Sequence, residues 1–228
     1  MEEFSNLYDE TFPPDGRNYT AAELLEAIED PNNDTRHVKA DNIILLAKYK
    51  NKTIGFIACF YYPKFGHGIV GYLGRKKEIE PEEIGQFVSL KLFKKLYSIL
   101  TKEHNCALLV FELEIGLRDD VKAKLFKAYA QKLHLNAFEL DFDYWRPKLD
   151  LEDSIEEKLR LLIIPFNNLE KEEYLSKQEL SKILNFLHFC CYGDYYSIDD
   201  PNFQKFQNYL TLRMKTYEEI LPENIKVK

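Results

Sequence analysis

Cysteine is scarce in this sequence, and where it occurs it does not form a metal-binding pattern. The chain has four cysteines among 228 residues. Cys59 and Cys106 lie within apolar runs, which favours core positions for both. Cys190 and Cys191 are adjacent, so on a helix their side chains would point about 100° apart, a poor arrangement for sharing one ion. We therefore expect buried thiols in a reducing cytoplasm.

Several other signals are missing as well. No apolar run is long enough to cross a bilayer, and the first ten residues, MEEFSNLYDE, lack the apolar segment of a secretory signal. His67 and His134 have no cysteine or carboxylate partner at ligand spacing, so we expect no metal site. The sequence contains no P-loop, no G-x-S-x-G and no H-E-x-x-H motif, which argues against the enzyme classes that these motifs mark.

Positive charge is in short supply. The 31 Lys and Arg residues are outnumbered by 38 Asp and Glu, which gives a formal net charge of -7. A chain this acidic lacks the basic surface that nucleic-acid binding requires, and it is poorly suited to an anionic membrane. We expect neither as a partner. A cationic substrate such as an amine would be attracted instead.

Apolar and aromatic residues are plentiful, and their spacing predicts regular structure. Hydrophobic residues make up 45% of the chain, with 16 Phe and 15 Tyr, enough for a sizeable core. The patterns predict a helix from the capping box Thr20–Glu23, strands at 42–49, 53–62 and 68–74, a helix over 84–100, a strand at 106–114, a helix over 121–133, strands at 138–145 and 159–166, and helices opened by Ser176 and by Asp200. A strand meander followed by β-α-β units indicates an α/β protein with a mixed α+β sheet.

Two helical stripes are predicted to be buried. The first comprises Ile84, Val88, Leu92, Leu96 and Leu100, and the second comprises Val121, Leu125, Tyr129 and Leu133. The strands at 68–74 and 106–114 should be parallel neighbours, joined by the first of these helices in a right-handed crossover.

Local sequences within this order resemble the GNAT acyltransferase superfamily. The segments that carry the resemblance are Thr53-Ile54-Gly55-Phe56, Gly71-Tyr72-Leu73-Gly74, the stretch from Lys122 to Leu135, Asp143-Tyr144-Trp145-Arg146-Pro147 and Phe12-Pro13-Pro14. Together they cover roughly the first three quarters of the chain. The resemblance implies the GNAT fold and transfer of an acetyl group from acetyl-CoA to an amine.

The resemblance also implies where acetyl-CoA would bind. In the family, pantetheine pairs with the backbone of one strand, and the pyrophosphate binds N–H groups where the next helix begins, at a [QR]-x-x-G-x-[GA] motif. The best register here is Ile84-Gly85-Gln86-Phe87-Val88-Ser89, in which Ile84 replaces the polar residue and Phe87 the central glycine. The expected cofactor-binding residues are Tyr72, Leu73, Gly74, Gly85, Gln86, Phe87, Val88 and Ser89. We expect the Phe87 ring to join the edge of the first buried stripe.

The family's chemistry needs a base for the amine and a proton donor for the leaving thiolate. Glu112 and Glu114 alternate with apolar residues on the 106–114 strand and so share one face, where either is a candidate base. Tyr129 is the best match for the family's tyrosine donor. The alternatives are that both glutamates merely face solvent and that Tyr129 is a core residue.

These observations predict a GNAT-like domain over residues 1–170 and a helical extension over 171–228 packed on it. The expected function is acetyl-CoA-dependent N-acetyl transfer to a small-molecule or protein amine. The alternative is a catalytically inactive GNAT-fold protein used for binding. The sequence leaves the acceptor and the oligomeric state open, a homodimer included.

Overall fold

The structure is a computed structural model that describes residues 2–12, 20–22, 24–25, 39–77, 79, 82–115, 119–148, 156–166, 174–193 and 195–227. The chain divides into two compact units. The first comprises Met1–Asp34 and Ala40–Leu109, and the second comprises Thr35–Lys39 and Val110–Lys228. The predicted boundary near residue 170 stays a prediction.

The first unit is built on an antiparallel meander of three strands. These are β1 (Asp41–Tyr49), β2 (Lys52–Tyr62) and β3 (His67–Arg75), in that spatial order. Tyr49 pairs with Lys52, so the turn between them is Lys50-Asn51, and both turn residues have positive φ, 48° and 62°. Two consecutive positive φ values are the geometry of the tight hairpin turn whose twist matches the strands. The three predicted strands are confirmed.

A helix at the N-terminus was not predicted. Helix α1 (Glu2–Thr11) precedes the Thr20 capping box, whose Glu23 lies outside the described residues. Its inner face joins an aromatic cluster with β2 and β3, comprising Phe4, Leu7, Tyr8, Ala21, Leu24, Phe56, Ala58 and Tyr72. The Tyr8 ring lies 5.0 Å from Tyr72 and 5.6 Å from Phe56. The short, acidic N-terminal sequence concealed a helix that is stabilised by this tertiary packing.

Helix α2 (Glu82–Lys102) confirms the predicted helix and most of its stripe. Val88, Leu92, Leu96 and Leu100 are all buried. A Cβ atom on Gly55 of β2 would lie 2.5 Å from Val88 Cγ1, so only glycine allows this close approach of helix and strand. The expectation for Phe87 was wrong, because its side chain is 53% exposed. Phe87 is one residue from Val88, and a rotation of about 100° is enough to turn it away from the core.

The start of β4 (Leu108–Glu114) lies beside the start of β3. Ala107 N–H donates to Gly66 O at 2.7 Å, and a Cβ on Gly68 would lie 3.1 Å from Leu109 Cδ1. Residue numbers therefore rise together on the two strands, which makes them parallel. The predicted parallel pair joined by α2 is confirmed, and the right-handed crossover stays a prediction.

The second unit contains the rest of β4 and the strands beside it. The order is β4, β7 (Glu157–Pro165) and β5 (Phe138–Glu139), and β6 (Tyr144–Arg146) also pairs with β7. Both β5 and β6 are antiparallel to β7. The single strand predicted over 138–145 was therefore wrong, since residues 141–143 leave the sheet between two short strands. Leu140 instead bridges to Val227 near the C-terminus.

Helix α3 (Asp119–Gln131) is where it was predicted, but it buries a different face. Val121 and Leu125 are 65% and 39% exposed, whereas Ala123, Phe126 and Ala130 are buried. The Phe126 ring packs 4.3 Å from Phe111 of β4. One large ring flanked by two alanines brings the helix close to the sheet, so the true stripe is one position from the predicted stripe.

The C-terminal part confirms the second capping box. Ser176 accepts a hydrogen bond from Glu179 N–H, and the Glu179 carboxylate accepts one from Ser176 N–H, opening α4 (Lys177–Asn185). The helix continues as a π-helix over Phe186–Cys191, followed by α5 (Phe203–Ile220). Strands β8 (Tyr174–Ser176) and β9 (Asn224–Lys226) pair antiparallel. The π-helix and this small sheet had no sequence signal that we recognised.

Candidate functional site

Glu112 lies near the end of β4, in the second unit. Its neighbours Phe111 and Leu113 are 2% and 4% exposed. Side chains alternate along a strand, so these two point to the face covered by α3 and Glu112 points to the opposite face. The Glu112 side chain is partly buried there, which is unusual for a carboxylate without a function or a partner.

Two tyrosine hydroxyls donate to this carboxylate, one to each oxygen. Tyr144, on β6, donates to Oε1, and Tyr192, which ends the π-helix, donates to Oε2. The donors lie 32 and 80 residues from Glu112 along the chain. Two hydrogen bonds, one to each oxygen, restrict the orientation of the carboxylate.

Burial raises the pKa of the Glu112 carboxyl, and the hydrogen bonds from Tyr144 and Tyr192 lower it only in part. Burial also raises the pKa of both phenols, and the neighbouring Glu112 carboxylate raises them further. The phenols therefore remain protonated donors, while the carboxylate is a stronger base than an ordinary glutamate. Such a group can take a proton from an ammonium ion near neutral pH.

An ion pair lies beside this cluster. Arg146 pairs with Glu157 directly across the β6–β7 ladder, and both side chains are partly buried. The Arg146 charge favours the ionised form of Glu112 and the Glu157 charge disfavours it. The desolvation of Glu112 is a larger influence on its pKa than either charge of this pair.

The other two predicted catalytic residues do not join this cluster through the described contacts. Glu114 is exposed and pairs with Lys122 across 3.6 Å. Tyr129 is 7% exposed, with its ring 6.2 Å from that of Phe126. Tyr129 therefore has the surroundings of a core residue. Of the three predicted catalytic residues, Glu112 is the one whose surroundings best support a catalytic role.

The predicted cofactor residues lie in the first unit, and several have buried side chains. Tyr72, Val88 and Ser89 are at most 8% exposed, and Leu73 is partly buried. A Cβ on Gly74 would lie 2.4 Å from the Phe56 ring, so that ring occupies the space beside the strand. The surroundings of Gly85 and the side chain of Gln86 lie outside the described set.

Helix α2 begins at Glu82, two residues before the predicted motif. Only the first turn of a helix has N–H groups without an intrahelical acceptor. Those groups precede Phe87, whose own N–H lies within the helix. Any anion at this helix end would therefore meet the turn that starts at Glu82 and Glu83.

A row of polar residues on α5 lies near the same part of the second unit. Tyr217 Oη accepts from Trp145 N–H at 2.8 Å, and Tyr209 Oη accepts from Lys148 N–H at 3.0 Å. Between them on the helix, Arg213 pairs with Glu156 at 3.1 Å. The ring of buried His188, from the π-helix, lies 6.1 Å from Tyr144 and 5.6 Å from Tyr217.

Sequence reasoning identified Glu112 but missed its partners. Tyr144 was noticed as part of a strand and of a segment that resembles the GNAT superfamily, but not as a partner of Glu112, and Tyr192 follows the adjacent cysteines in a segment without a motif. The available signal was weak: a π-helix frequently occurs at functional sites, but no sequence pattern announced one here. The structure was needed to bring Tyr192 to the strand.

Within the described residues, no group of three or more His, Cys, Asp or Glu side chains is placed to hold a metal ion. No helix among them is long and apolar enough to span a membrane. Cys59, Cys106 and Cys190 are buried, Cys191 is partly buried, and none of the four forms a disulfide.

Comparison with known proteins identifies the fold. No protein-family model and no curated protein matches the chain. Among solved structures, a protein from Bacteroides thetaiotaomicron assigned to the GNAT family of acetyltransferases matches at 17% identity with a TM-score of 0.54, covering 84% of this chain and 92% of its own. A diaminobutyrate acetyltransferase from Paenibacillus lautus, in complex with L-2,4-diaminobutyric acid and coenzyme A, matches at 14% identity and a TM-score of 0.48, covering 73% and 92%. The chain has the GNAT fold, as the sequence resemblance implied.

Proposed function

We propose that this protein is an N-acetyltransferase that transfers an acetyl group from acetyl-CoA to an amine. The fold supports this proposal, and the observation that carries it is the Glu112 carboxylate. It is partly buried, its two oxygens are held by Tyr144 and Tyr192, and burial raises its pKa. A desolvated, oriented carboxylate is suited to deprotonating an ammonium group before it attacks a thioester.

In the proposed reaction Glu112 takes one proton from the acceptor's ammonium. The amine nitrogen then attacks the thioester carbon, the C–S bond breaks, and the thiolate leaves. The amide product keeps one N–H, so a second proton passes from nitrogen to the departing thiolate, which becomes the free thiol. Tyr144 and Tyr192 act as positioning residues that keep the carboxylate plane fixed. Most of the rate enhancement would come from holding amine and thioester together.

Glu112→Gln tests the role of the carboxylate, because glutamine keeps its size and can still accept hydrogen bonds. We expect kcat for thiol release from acetyl-CoA, measured with a panel of amines, to fall about 100-fold or more. Glu114→Gln is the matched control, since Glu114 lies on the same strand face but is exposed. Full kcat in Glu112→Gln would refute the assignment.

The pH profile gives a second readout. Catalysis needs ionised Glu112, so kcat should rise with pH through the raised pKa of that carboxyl. Tyr192→Phe removes a hydrogen bond that lowers this pKa and should move the acid limb to higher pH. An unchanged limb would show that Glu112 is not the titrating group.

The inactive GNAT-fold protein remains the second candidate because of one observation. The first turn of α2 starts with two glutamates, where the family binds a pyrophosphate. Calorimetric titration with acetyl-CoA separates the two candidates. Binding supports the transferase, whereas absence of heat at millimolar acetyl-CoA supports the second candidate.

A further inference from the structure

Tyr192 reaches Glu112 from a turn that follows the π-helix, and the backbone of this turn is hydrogen-bonded. Tyr192 N–H donates to Leu187 O at 3.1 Å, five residues back, which is the hydrogen bond of a π-helix. Tyr192 O accepts from Tyr195 N–H at 3.0 Å. Both backbone groups of Tyr192 are therefore paired, and the direction of its side chain depends on this turn.

Gly193, the next residue, is buried and leaves no room for a side chain. A Cβ at this position would lie 2.9 Å from the carbonyl carbon of Phe189 and closer still to its oxygen. These are backbone atoms of the π-helix, so they cannot rotate away as a side chain could. Only glycine therefore lets the chain turn this tightly after Tyr192.

A glutamine on α5 holds the same turn. Nε2 of Gln207 donates to Gly193 O at 2.5 Å, and the Gln207 side chain is partly buried. The neighbouring residue Phe206 is fully buried, and its ring lies 5.3 Å from that of Tyr196, which follows the turn. Helix α5 thus contacts this part of the chain through a hydrogen bond and through an aromatic ring.

Helix α5 also contacts the chain beside the other donor to Glu112. Tyr217 Oη accepts from Trp145 N–H at 2.8 Å, and Trp145 follows Tyr144 on β6. Gln207 and Tyr217 lie about 15 Å apart along the helix axis. A helix keeps such a distance constant because its backbone hydrogen bonds are internal, so α5 supports both donors from one rigid element.

We propose that Gln207 and Gly193 are positioning residues, which hold the Tyr192 hydroxyl on Glu112 by fixing the turn that follows the π-helix. The C-terminal segment is then part of the candidate catalytic site. The kinetic consequence rests on the proposed acetyl transfer, whereas the chain of contacts from α5 to Oε2 of Glu112 does not depend on any reaction.

Gln207→Met tests the hydrogen bond, because methionine keeps the length of the side chain but cannot donate. Gln204→Met is the matched control, since Gln204 lies on the same helix but is exposed and donates to Asn208 at 3.1 Å. The Glu112 carboxyl is followed against pH by carbon-13 NMR of the full chain, with Glu112→Gln to assign its signal. The Tyr192 hydrogen bond lowers the pKa of Glu112, so Gln207→Met should raise this pKa and Gln204→Met should leave it unchanged.

A double substitution shows whether Gln207 acts through Tyr192. In the Tyr192→Phe background, Gln207→Met should not change the pKa of Glu112 further, because the hydrogen bond that it supports is already absent. Gly193→Ala should raise the pKa at least as much as Gln207→Met does, and if it does not fold, Gln207→Met still decides. A pKa that Gln207→Met leaves unchanged or lowers would overturn the proposal, as would an equal rise in the Tyr192→Phe background.

Kinetics separate failure of this inference from failure of the proposed function. In an active enzyme, Gln207→Met should lower kcat about threefold on the acid limb, and keep kcat within about twofold on the alkaline plateau. KM for the amine should not change. An acid limb that Gln207→Met leaves in place would overturn the inference and leave the transferase standing. If the wild type transfers no acetyl group, the proposed function fails and the NMR titration alone decides the positioning.

Discussion

His188 should make the folded protein sensitive to acid. The ring is fully buried, and within the part of the chain that the structure describes the charged groups and phenols in contact with it are Arg213 and Tyr217 of α5 and Tyr144 of β6. None of them is a carboxylate that could pair with an imidazolium. Burial and the Arg213 charge lower the pKa of His188 from 6.5 to about 4. The unfolded chain therefore binds a proton at a higher pH than the folded protein does.

The size of the effect follows from the two pKa values. A group with a depressed pKa in the folded state contributes stability that is present above the unfolded value, and this stability is lost as the pH falls through the folded value. For 6.5 and about 4, the loss relative to pH 7.5 is about 2 kcal/mol at pH 5 and about 3 kcal/mol at pH 4.

Urea unfolding of the wild type and His188→Asn between pH 7.5 and 5 measures this loss. The variant loses packing at every pH, so the informative quantity is how the difference in free energy of unfolding changes with pH. The wild type should lose about 2 kcal/mol more than the variant over this range. Carboxylates contribute equally to both proteins and cancel. The reasoning would be refuted if the free energies of unfolding of the two proteins changed equally with pH, or if the His188 ring titrated near pH 6.5 by NMR.

Two further substitutions test the packing and the capping. Gly55→Ala should lower the free energy of unfolding by about 1–3 kcal/mol, because the new Cβ would lie 2.5 Å from Val88 Cγ1. Adding Val88→Ala should restore part of this loss. A Gly55→Ala variant as stable as the wild type would contradict the predicted contact. Ser176→Ala removes the capping box and should lower the free energy of unfolding by about 1 kcal/mol, as measured by thermal unfolding. Ser181→Ala, in the same helix, should lower it by less than about 0.5 kcal/mol. Equal effects of the two serine substitutions would refute the capping role.

The sequence predicted those elements whose signals are local. Alternation and turn residues located β1, β2 and β3, and a capping box located the start of α4. The failures came where packing decides. Helix α1 is short, and its burial depends on Phe56 and Tyr72, more than 40 residues away. In α3, Val121 and Leu125 fit a helical period as well as Phe126 does, and only the contact with Phe111 selects the face.

The candidate site likewise contains one residue that the sequence could indicate and two that only the fold brings to it. Glu112 could be found because alternation along one strand places a carboxylate among apolar neighbours. Its donors could not, because Tyr192 reaches it from 80 residues away through a π-helix. A one-residue insertion in a helical turn changes the direction of every side chain that follows. The regular helical period of apolar residues in a sequence does not reveal such an insertion. Tyr144 was hidden in a predicted continuous strand that is broken in the structure.

Acetyl-CoA would bind at the first turn of α2. There we expect negative charge to reduce its affinity more than the Phe87 side chain does. Backbone N–H groups are the ligands at a helix end, and the Phe87 N–H is already inside the helix, while its ring is 53% exposed. Glu82 and Glu83 are the first two residues of this helix, so the turn that a diphosphate would approach contains two acidic residues. Each charge near a helix end is worth about 0.3–1 kcal/mol, so Glu82→Gln/Glu83→Gln should tighten acetyl-CoA binding by roughly threefold to thirtyfold at low salt. Phe87→Gly should change affinity less and mainly lower helix stability by about 1 kcal/mol. Titration calorimetry of both variants at low and high salt compares them, and a larger gain from Phe87→Gly would show that the ring, not the charge, obstructs the site.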